Sequence, residues 1–181
     1  MPSWLMHQRM ELIIREMKTL ILVRHAKSDW GDEGLKDIDR PLAPRGYSAA
    51  YAMSEWLLKK GNVPQTFISS DATRALNTAA IFARQMEFPT NEIIILPQVY
   101  ESTAKTLKDV ISQIDTRFES AILFCHNPGI TNLANELTDD LFFDELPTCS
   151  VVSLEFDVKN WKEVPVKKGK ILFNQFPKEF K

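Results

Sequence analysis

Residues 20–30 read Leu-Ile-Leu-Val-Arg-His-Ala-Lys-Ser-Asp-Trp, an apolar run that ends abruptly in a cation and an imidazole. The segment Thr19–Val23 is rich in branched side chains, which predicts a strand buried on both faces of a parallel sheet. Ligands of open α/β sheets bind just beyond the carboxyl ends of such strands, so Arg24 and His25 stand where an anion can be bound and attacked. A strand cap with a surface ion pair gives the same short pattern, and the interpretation therefore depends on its repetition along the chain.

Further apolar runs predict three more strands separated by helices. The strands are Thr66–Ile68, Ile93–Leu96 and Ala121–Cys125, the last two of the buried type. The helices are Pro44–Lys60, which Gly61 stops, and three stripes of helical period at Ala75–Met86, Leu107–Ile114 and Ile130–Leu137. Val151–Asp157 alternates apolar and polar residues and can pair with Lys170–Phe173 as an antiparallel edge. The chain is therefore predicted to be a three-layer α/β/α sandwich around a mainly parallel sheet.

Each predicted parallel strand is followed by polar side chains. They are Arg24 and His25 after the first strand, the potential helix caps Ser69–Asp71 and then Arg74 after the second, Tyr100 and Glu101 after the third, and His126 and Asn127 after the fourth. Because these strand ends meet at one edge of the sheet, we expect two arginines, two histidines and a carboxylate to gather there.

Such a set suits phosphoryl transfer. Arginine matches phosphate with a planar fork that stays charged, and helix N-termini near Arg74 and His126 add backbone N–H groups. A neutral imidazole can attack phosphorus and hold the phosphoryl group until water removes it. We expect His25 to be the nucleophile, since it follows a strand tip directly, and His126 to be charged and to stabilise the transferring oxygens.

Four motifs in this order resemble the histidine phosphatase (phosphoglycerate mutase-like) superfamily, and in particular its small SixA-type phosphohistidine phosphatases. The motifs are Arg24-His25-Ala26-Lys27-Ser28, Asp39-Arg40-Pro41-Leu42, Ser69-Ser70-Asp71-Ala72-Thr73-Arg74-Ala75 and His126-Asn127-Pro128-Gly129. The resemblance implies the fold of that superfamily, a phosphohistidine intermediate on His25 and a phosphate pocket completed by Arg24, Arg74 and His126. It also implies that no metal and no organic cofactor is needed. The chain departs from the usual triplet of the superfamily at Ala26, where glycine is the rule.

The proton donor and the remaining substrate contacts stay open at the level of sequence. Glu101 stands where the superfamily often has a carboxylic acid, although the small branch does not always have one, and an acid there also suits a first helical turn. Lys27 and Arg40 border a polar loop that we expect to form one wall of the mouth, where both can meet an anion, and Asn127 is a further substrate-binding candidate. Trp30 in that loop can pack against the substrate or cover the core, and we expect it to cover the core.

Composition excludes several other classes of protein. The net charge of −2 gives no basic field for nucleic acid, and no apolar stretch reaches the ~20 residues of a membrane span. A cysteine phosphatase needs an arginine six residues after its cysteine, and neither Cys125 nor Cys149 has one. Both are expected to be buried free thiols in the cytoplasm.

We expect residues 17–181 to form one domain. Residues 1–16 are expected to be an extension upstream of the true start at Met17 or a short amphipathic docking helix.

These observations favour a metal-independent phosphatase that acts on phosphohistidine in a protein. Two alternatives remain, a phosphatase or mutase for small phosphomonoesters and a non-catalytic phosphoprotein-binding module. A metallohydrolase is not indicated, because His7, His25 and His126 lack the close spacing of metal ligands.

Overall fold

The computed structural model describes residues 16–177, which fold into one six-stranded sheet with helices on both faces. The strands are β1 (Met17–Arg24), β2 (Thr66–Ser69), β3 (Ile94–Ile95), β4 (Ser120–Cys125), β5 (Val151–Asp157) and β6 (Lys170–Gln175). The α-helices are α1 (Pro44–Lys59), α2 (Thr73–Gln85), α3 (Ala104–Ser112) and α4 (Gly129–Leu137). Short 3-10 helices cover Asp37–Asp39, Thr90–Glu92, Pro97–Val99 and Trp161–Val166. The predicted N-terminal extension lies outside the described residues except for Glu16.

The strand order β3-β2-β4-β1-β5-β6 confirms the predicted sheet. The first four strands along the chain run parallel to one another, while β5 is antiparallel to β1 and β6 is antiparallel to β5. The alternating segment Val151–Asp157 and the segment after it thus form a two-stranded antiparallel edge, as predicted. No helix among residues 16–177 is long and apolar enough to span a bilayer.

Two apolar clusters fill the space between the sheet and its helices. Alternate residues of β1 enter different clusters, because successive side chains of a strand point to opposite faces. Leu20 and Leu22 pack with residues of α3, α4 and the 3-10 helix 161–166, whereas Ile21 and Val23 pack with residues of α1 and α2. This arrangement confirms the three-layer sandwich, with strands buried on both faces.

Two predictions about burial were wrong. Ile93–Leu96 was expected to be a buried strand, but only Ile94 and Ile95 form a strand, and they are 44% and 50% exposed. Their strand is the last of the sheet and pairs with β2 alone, so the apolar run marks an edge. Trp30 was expected to cover the core, yet it is 68% exposed and stacks on the guanidinium of Arg40, with 3.4 Å between its ring centroid and the Arg40 Cζ atom.

The start of α1 is fixed by a close backbone approach. Pro44 occupies its first turn, as predicted, and Gly46 is buried there. A Cβ atom on Gly46 would overlap the backbone carbonyl oxygen of Lys27. The amide of Ala43 donates to the same oxygen over 2.9 Å. The segment that leaves β1 is thus clamped against α1, and only glycine permits the contact.

We expect Gly46→Ala to destabilise the protein by about 2 kcal/mol or more, the scale of forced overpacking. Helix propensity alone would predict a gain of about 1 kcal/mol for the same change, so the sign separates the two effects. Chemical denaturation measures the difference. Gly34→Ala is the control, because a Cβ there meets only the tip of the Asp32 side chain. An unchanged or raised stability of Gly46→Ala would contradict the close approach.

Candidate active site

The carboxyl edge of the sheet brings both predicted histidines together. His25 follows β1 and His126 follows β4, two parallel neighbours whose register pairs Arg24 with Cys125. The two imidazole centroids are 5.0 Å apart. Arg74 comes from the first turn of α2, and its Nε atom lies 3.4 Å from Nε2 of His25.

The hydrogen bonds of His25 define its tautomer. Its Nδ1 atom lies 2.7 Å from the carbonyl oxygen of Ala26, which can only accept, so Nδ1 carries the proton. Nε2 therefore holds the free electron pair and faces the N–H of Arg74. The amide of Ala26 donates to Thr78 Oγ1 over 3.0 Å, and that hydroxyl donates to the carbonyl of Arg74 over 2.7 Å. Ala26 is not among the described residues with positive φ, so alanine is accommodated here without backbone strain.

His126 is held through Nε2, whereas His25 is held through Nδ1. Its Nε2 atom lies 2.8 Å from Ser70 Oγ. Ser70 does not cap α2 as the sequence suggested, since the N-cap residue is Ala72 and makes no side-chain cap. Instead, the Ser70 hydroxyl accepts from the Ala72 amide and orients the imidazole. The caps were misassigned because a serine before a helix can as readily bond a neighbouring loop or side chain.

Two nitrogen atoms of this site are buried without a hydrogen-bond partner among residues 16–177, namely Nδ1 of His126 and Nε of Arg24. Buried polar atoms are nearly always hydrogen-bonded in proteins, so unpaired nitrogens beside a phosphate-type cluster suit the oxygens of a bound anion. The opposite end of Arg24 is fixed, because Nη1 donates to Glu145 Oε1 (2.9 Å) and to the carbonyl of Leu146 (2.6 Å).

Both histidines are neutral at pH 7. Burial, reinforced by the nearby arginines, lowers the pKa of His25 to about 4, although its bond to the Ala26 carbonyl opposes the shift. Burial first, and then His25 and Arg74, lower the pKa of His126 to about 3. The expectation of a charged His126 therefore does not hold for the protein without an anion. A phosphate dianion between the rings would favour protonation, since an opposite charge stabilises the charged form.

Asp37 is a site residue that the sequence pattern did not indicate, and so is Glu145, which holds Arg24. The Oδ2 atom of Asp37 accepts from Arg74 Nη2 (2.9 Å) and from the Tyr100 hydroxyl (2.7 Å), and its backbone oxygen accepts from Arg74 Nη1 (2.6 Å). Its Oδ1 atom accepts from Arg40 Nε (3.1 Å) and Nη2 (2.5 Å).

These hydrogen bonds lower the pKa of the Asp37 carboxyl group and raise the pKa of the Tyr100 hydroxyl group. Despite partial desolvation, hydrogen bonds from Tyr100, Arg40 and Arg74 hold the pKa of Asp37 well below its usual range. Its bond to Asp37 raises the pKa of Tyr100 to about 12. Asp37 escaped notice because it belongs to an acidic loop that looks solvated. The only signal was its spacing of three residues from Arg40.

Within residues 16–177 the side chains of the remaining candidates make no hydrogen bond to either histidine. Arg40 is buried and bonded to Asp37 and Ser28, so its guanidinium has protein partners. Asn127 Nδ2 shares the two acceptors of Arg24, Glu145 Oε1 and the Leu146 carbonyl, at 3.1 Å each. Lys27 is half-buried and lines a cleft with Arg45 and Pro147. These positions favour Arg40 and Asn127 as supports of the wall of the site.

Glu101 has different surroundings from its neighbour Tyr100. It is exposed, has a φ of 48°, and its carboxylate makes no hydrogen bond or ion pair within the described part of the chain. Tyr100, by contrast, meets the ring of His126 edge-on at 5.5 Å between centroids.

Cys125 and Cys149 are free and buried, as predicted, and burial raises the pKa of both thiols. Among residues 16–177 no group of three or more His, Cys, Asp or Glu side chains is arranged to hold a metal ion.

The neutral histidines give a pH-dependent prediction. We expect the ring signals of His25 and His126 in NMR spectra to stay those of neutral imidazole as the pH falls to about 5, with the variants His25→Asn and His126→Asn assigning them. Saturating phosphate should raise both pKa values. Because the unfolded chain protonates first, at about pH 6.5, the free energy of unfolding should fall between about pH 6.5 and about pH 4. Each Asn variant should lose less stability over that interval. Ring signals that titrate near pH 6.5 without phosphate would contradict the assignment.

Comparison with known proteins identifies the family and the fold of this chain. A family model described as the histidine phosphatase superfamily (branch 1) matches residues 20–120. An uncharacterized chloroplastic protein of Arabidopsis thaliana is 33% identical over 154 residues, which cover 81% of this chain and 70% of that protein.

Solved structures show the same fold at low sequence identity. The protein histidine phosphatase SixA in complex with tungstate superposes with a TM-score of 0.76 at 18% identity, over 90% of this chain and 99% of the other. A mycobacterial glucosyl-3-phosphoglycerate phosphatase superposes with a TM-score of 0.63 at 14% identity, over 86% and 97% of the two chains. The sheet, its antiparallel margin and its flanking helices are therefore of the phosphoglycerate mutase-like type. With its family model spanning more than half of the sequence, the chain belongs to the histidine phosphatase superfamily.

Proposed function

We propose that this member of a phosphatase superfamily removes phosphate from phosphohistidine in a protein substrate, through a phosphohistidine intermediate on His25 and without a metal ion. The observation that carries the proposal is the tautomer of His25. Its Nδ1 proton is held by the Ala26 carbonyl, and its Nε2 electron pair faces the N–H of Arg74 at 3.4 Å. A neutral, oriented imidazole beside fixed cations is what nucleophilic attack on a phosphoryl group requires.

The reaction takes two steps. His25 Nε2 forms a bond to phosphorus while the bond between phosphorus and the leaving nitrogen of the substrate breaks, and the electron pair of that bond stays on the leaving nitrogen. Because the other ring nitrogen of the substrate already carries a proton, the substrate histidine leaves as a neutral imidazole. The oxygen of a water molecule then forms a bond to phosphorus, the Nε2–phosphorus bond breaks, and inorganic phosphate leaves with the proton balance restored by solvent. Arg24, Arg74 and His126 bind the phosphoryl oxygens, and the unpaired Nε of Arg24 and Nδ1 of His126 support this assignment.

The substrate class follows from the leaving group. An alkoxide must receive a proton as it departs, whereas the imidazole of a phosphohistidine can leave already protonated. Glu101 is exposed and makes no bond to the histidine pair, which supports a site that does not depend on a strong general acid. The structural neighbour that is a protein histidine phosphatase supports the same choice. A small phosphomonoester remains the competing substrate, because another neighbour is a glucosyl-3-phosphoglycerate phosphatase.

We expect brief exposure to a labelled phosphodonor to leave an acid-labile, base-stable phosphoryl adduct on the protein. His25→Ala should abolish the adduct, because within residues 16–177 no other histidine nitrogen lies within hydrogen-bonding distance of Arg74. The control is Ser48→Ala, at an exposed position whose hydroxyl bonds only its own helix. Quenched samples analysed by mass spectrometry locate the adduct. An undiminished adduct in His25→Ala would refute the nucleophile assignment.

Glu101→Gln separates the two substrate classes. We expect it to leave kcat for a phosphohistidine protein nearly unchanged. If Glu101 nevertheless turns inward to protonate an alkoxide, hydrolysis of an alkyl phosphate should fall by ~10²-fold, the usual scale of general-acid help. The matched control is Glu87→Gln, another exposed glutamate with positive φ. Equal large losses on both substrates would assign Glu101 to binding instead.

A further inference from the structure

We propose that Asp37 is a positioning residue that aims the catalytic edge of Arg74 at His25, an inference that rests on the proposed function of the histidine pair. Asp37 lies in the loop between β1 and α1, outside every motif of the sequence analysis. Its carboxylate and backbone oxygen contact side chains delivered from two other parts of the chain. The effect of Asp37 on Arg74 depends on which edge of the guanidinium it occupies.

Asp37 grips Arg74 at the end of its guanidinium fork. Nη1 donates to the backbone oxygen of Asp37 over 2.6 Å, and Nη2 donates to Oδ2 over 2.9 Å. Because guanidinium N–H groups lie in a fixed plane, this end-on grip leaves the lateral edge, formed by Nε and the second N–H of Nη2, unobstructed by Asp37. That edge faces His25, whose Nε2 atom is 3.4 Å from Nε.

A phosphoryl group on or near Nε2 of His25 would therefore meet a pair of parallel N–H donors. Arginine binds phosphate in this two-bond manner with high directional preference. The carboxylate sits at the far end of the fork and does not occupy the edge that phosphate needs. Asp37 and phosphate can thus bind Arg74 at the same time.

Asp37 is itself fixed by bonds to both sides. Arg40 donates to Oδ1 through Nε and Nη2, and Arg40 is buried against Ser28 and stacked on Trp30. Tyr100 donates to Oδ2 over 2.7 Å from the segment that follows β3. The carboxylate is consequently an anchor between two loops rather than a mobile counter-ion, even though 44% of its side chain is exposed.

A simpler role would be neutralisation of Arg74, whose side chain is only 7% exposed, since a buried charge without a partner is costly. The two roles predict opposite changes in phosphate affinity. If Asp37 only neutralises Arg74, its removal frees the cation and phosphate binds more tightly. If Asp37 aims Arg74, its removal lets the fork rotate away from His25 and phosphate binds more weakly.

The test compares Asp37→Asn with Asp39→Asn. Asp39 belongs to the same 3-10 helix, is exposed, and makes no side-chain bond within the described residues, so its variant controls for the loss of one negative charge. Calorimetric titration with inorganic phosphate gives the dissociation constant. We expect Asp37→Asn to weaken phosphate binding and lower kcat/KM on the order of 10- to 100-fold, the scale seen when a partner that orients a ligand is lost. Asp39→Asn should stay within about twofold. Tighter or unchanged phosphate binding by Asp37→Asn would overturn the proposal.

A double-mutant cycle shows whether Asp37 acts through Arg74. In an Arg74→Ala background we expect Asp37→Asn to change kcat/KM by less than about threefold, because residues that work as one unit do not contribute additively. An equal loss in both backgrounds would assign Asp37 a general structural role and overturn the inference. The phosphate titration needs no turnover. Wild-type protein that binds phosphate but hydrolyses no phosphohistidine or phosphoester would therefore defeat the proposed function alone.

Discussion

The parallel pairing of β1 with β4 is the constraint on which the whole site depends. Its ladder continues past the strands, since the His25 amide donates to the Cys125 carbonyl over 3.1 Å. The two residues that follow these strands are the two histidines, and parallel strands release their next residues on the same side of the sheet. On the other side of β1, the carbonyls of Arg24 and His25 both accept from the amide of Cys149, which lies in the turn before β5, so the backbone at the nucleophile is held from both sides. A side chain mounted on so rigid a backbone can be aimed without a large entropic cost.

Burial and charge act together at this edge. The histidines are neutral because they are removed from water and face arginines, and this neutrality leaves an electron pair on His25. The arginines keep their charge, and their outer ends are fixed by Glu145 and Asp37, both accepting through carboxylate oxygens. Positive charge is thus oriented before an anion arrives, which is the condition under which electrostatic stabilisation of a transition state is most effective. The carboxylates stand at the perimeter, where they direct the guanidinium groups.

Loops contribute more to the site than their composition suggests. The acidic loop between β1 and α1 supplies Asp37, and the segment before β5 supplies Glu145 and Leu146. In a three-layer α/β fold the strands fix the place of the chemistry, and the loops that cross the carboxyl edge decide which faces of the side chains are presented. In the acidic loop Arg40 joins two exposed residues: its guanidinium stacks on the ring of Trp30 and donates hydrogen bonds to the carboxylate of Asp37.

The sequence by itself determined the alternation of strands and helices, the strand ends and the presence of Arg24, His25, Arg74 and His126 at one edge, because hydrophobic period and the geometry of parallel sheets are local and general. The sequence determined less well which strands pair at the edge of the sheet. The apolar run at Ile94 and Ile95 reads as buried, and only the sheet order shows that it has one neighbour.

Only the tertiary structure decided how the site is held. The Asp37 grip on Arg74 and the bond of Ser70 to His126 join residues 37 and 56 positions apart in the chain. No periodicity records such contacts. The neutral state of the histidines depends on burial by several elements at once. Whether Glu101 and Trp30 are exposed likewise depends on how the surrounding elements pack. Sequence patterns report what one segment prefers, whereas hydrogen-bond partners and local dielectric are properties of the assembled neighbourhood.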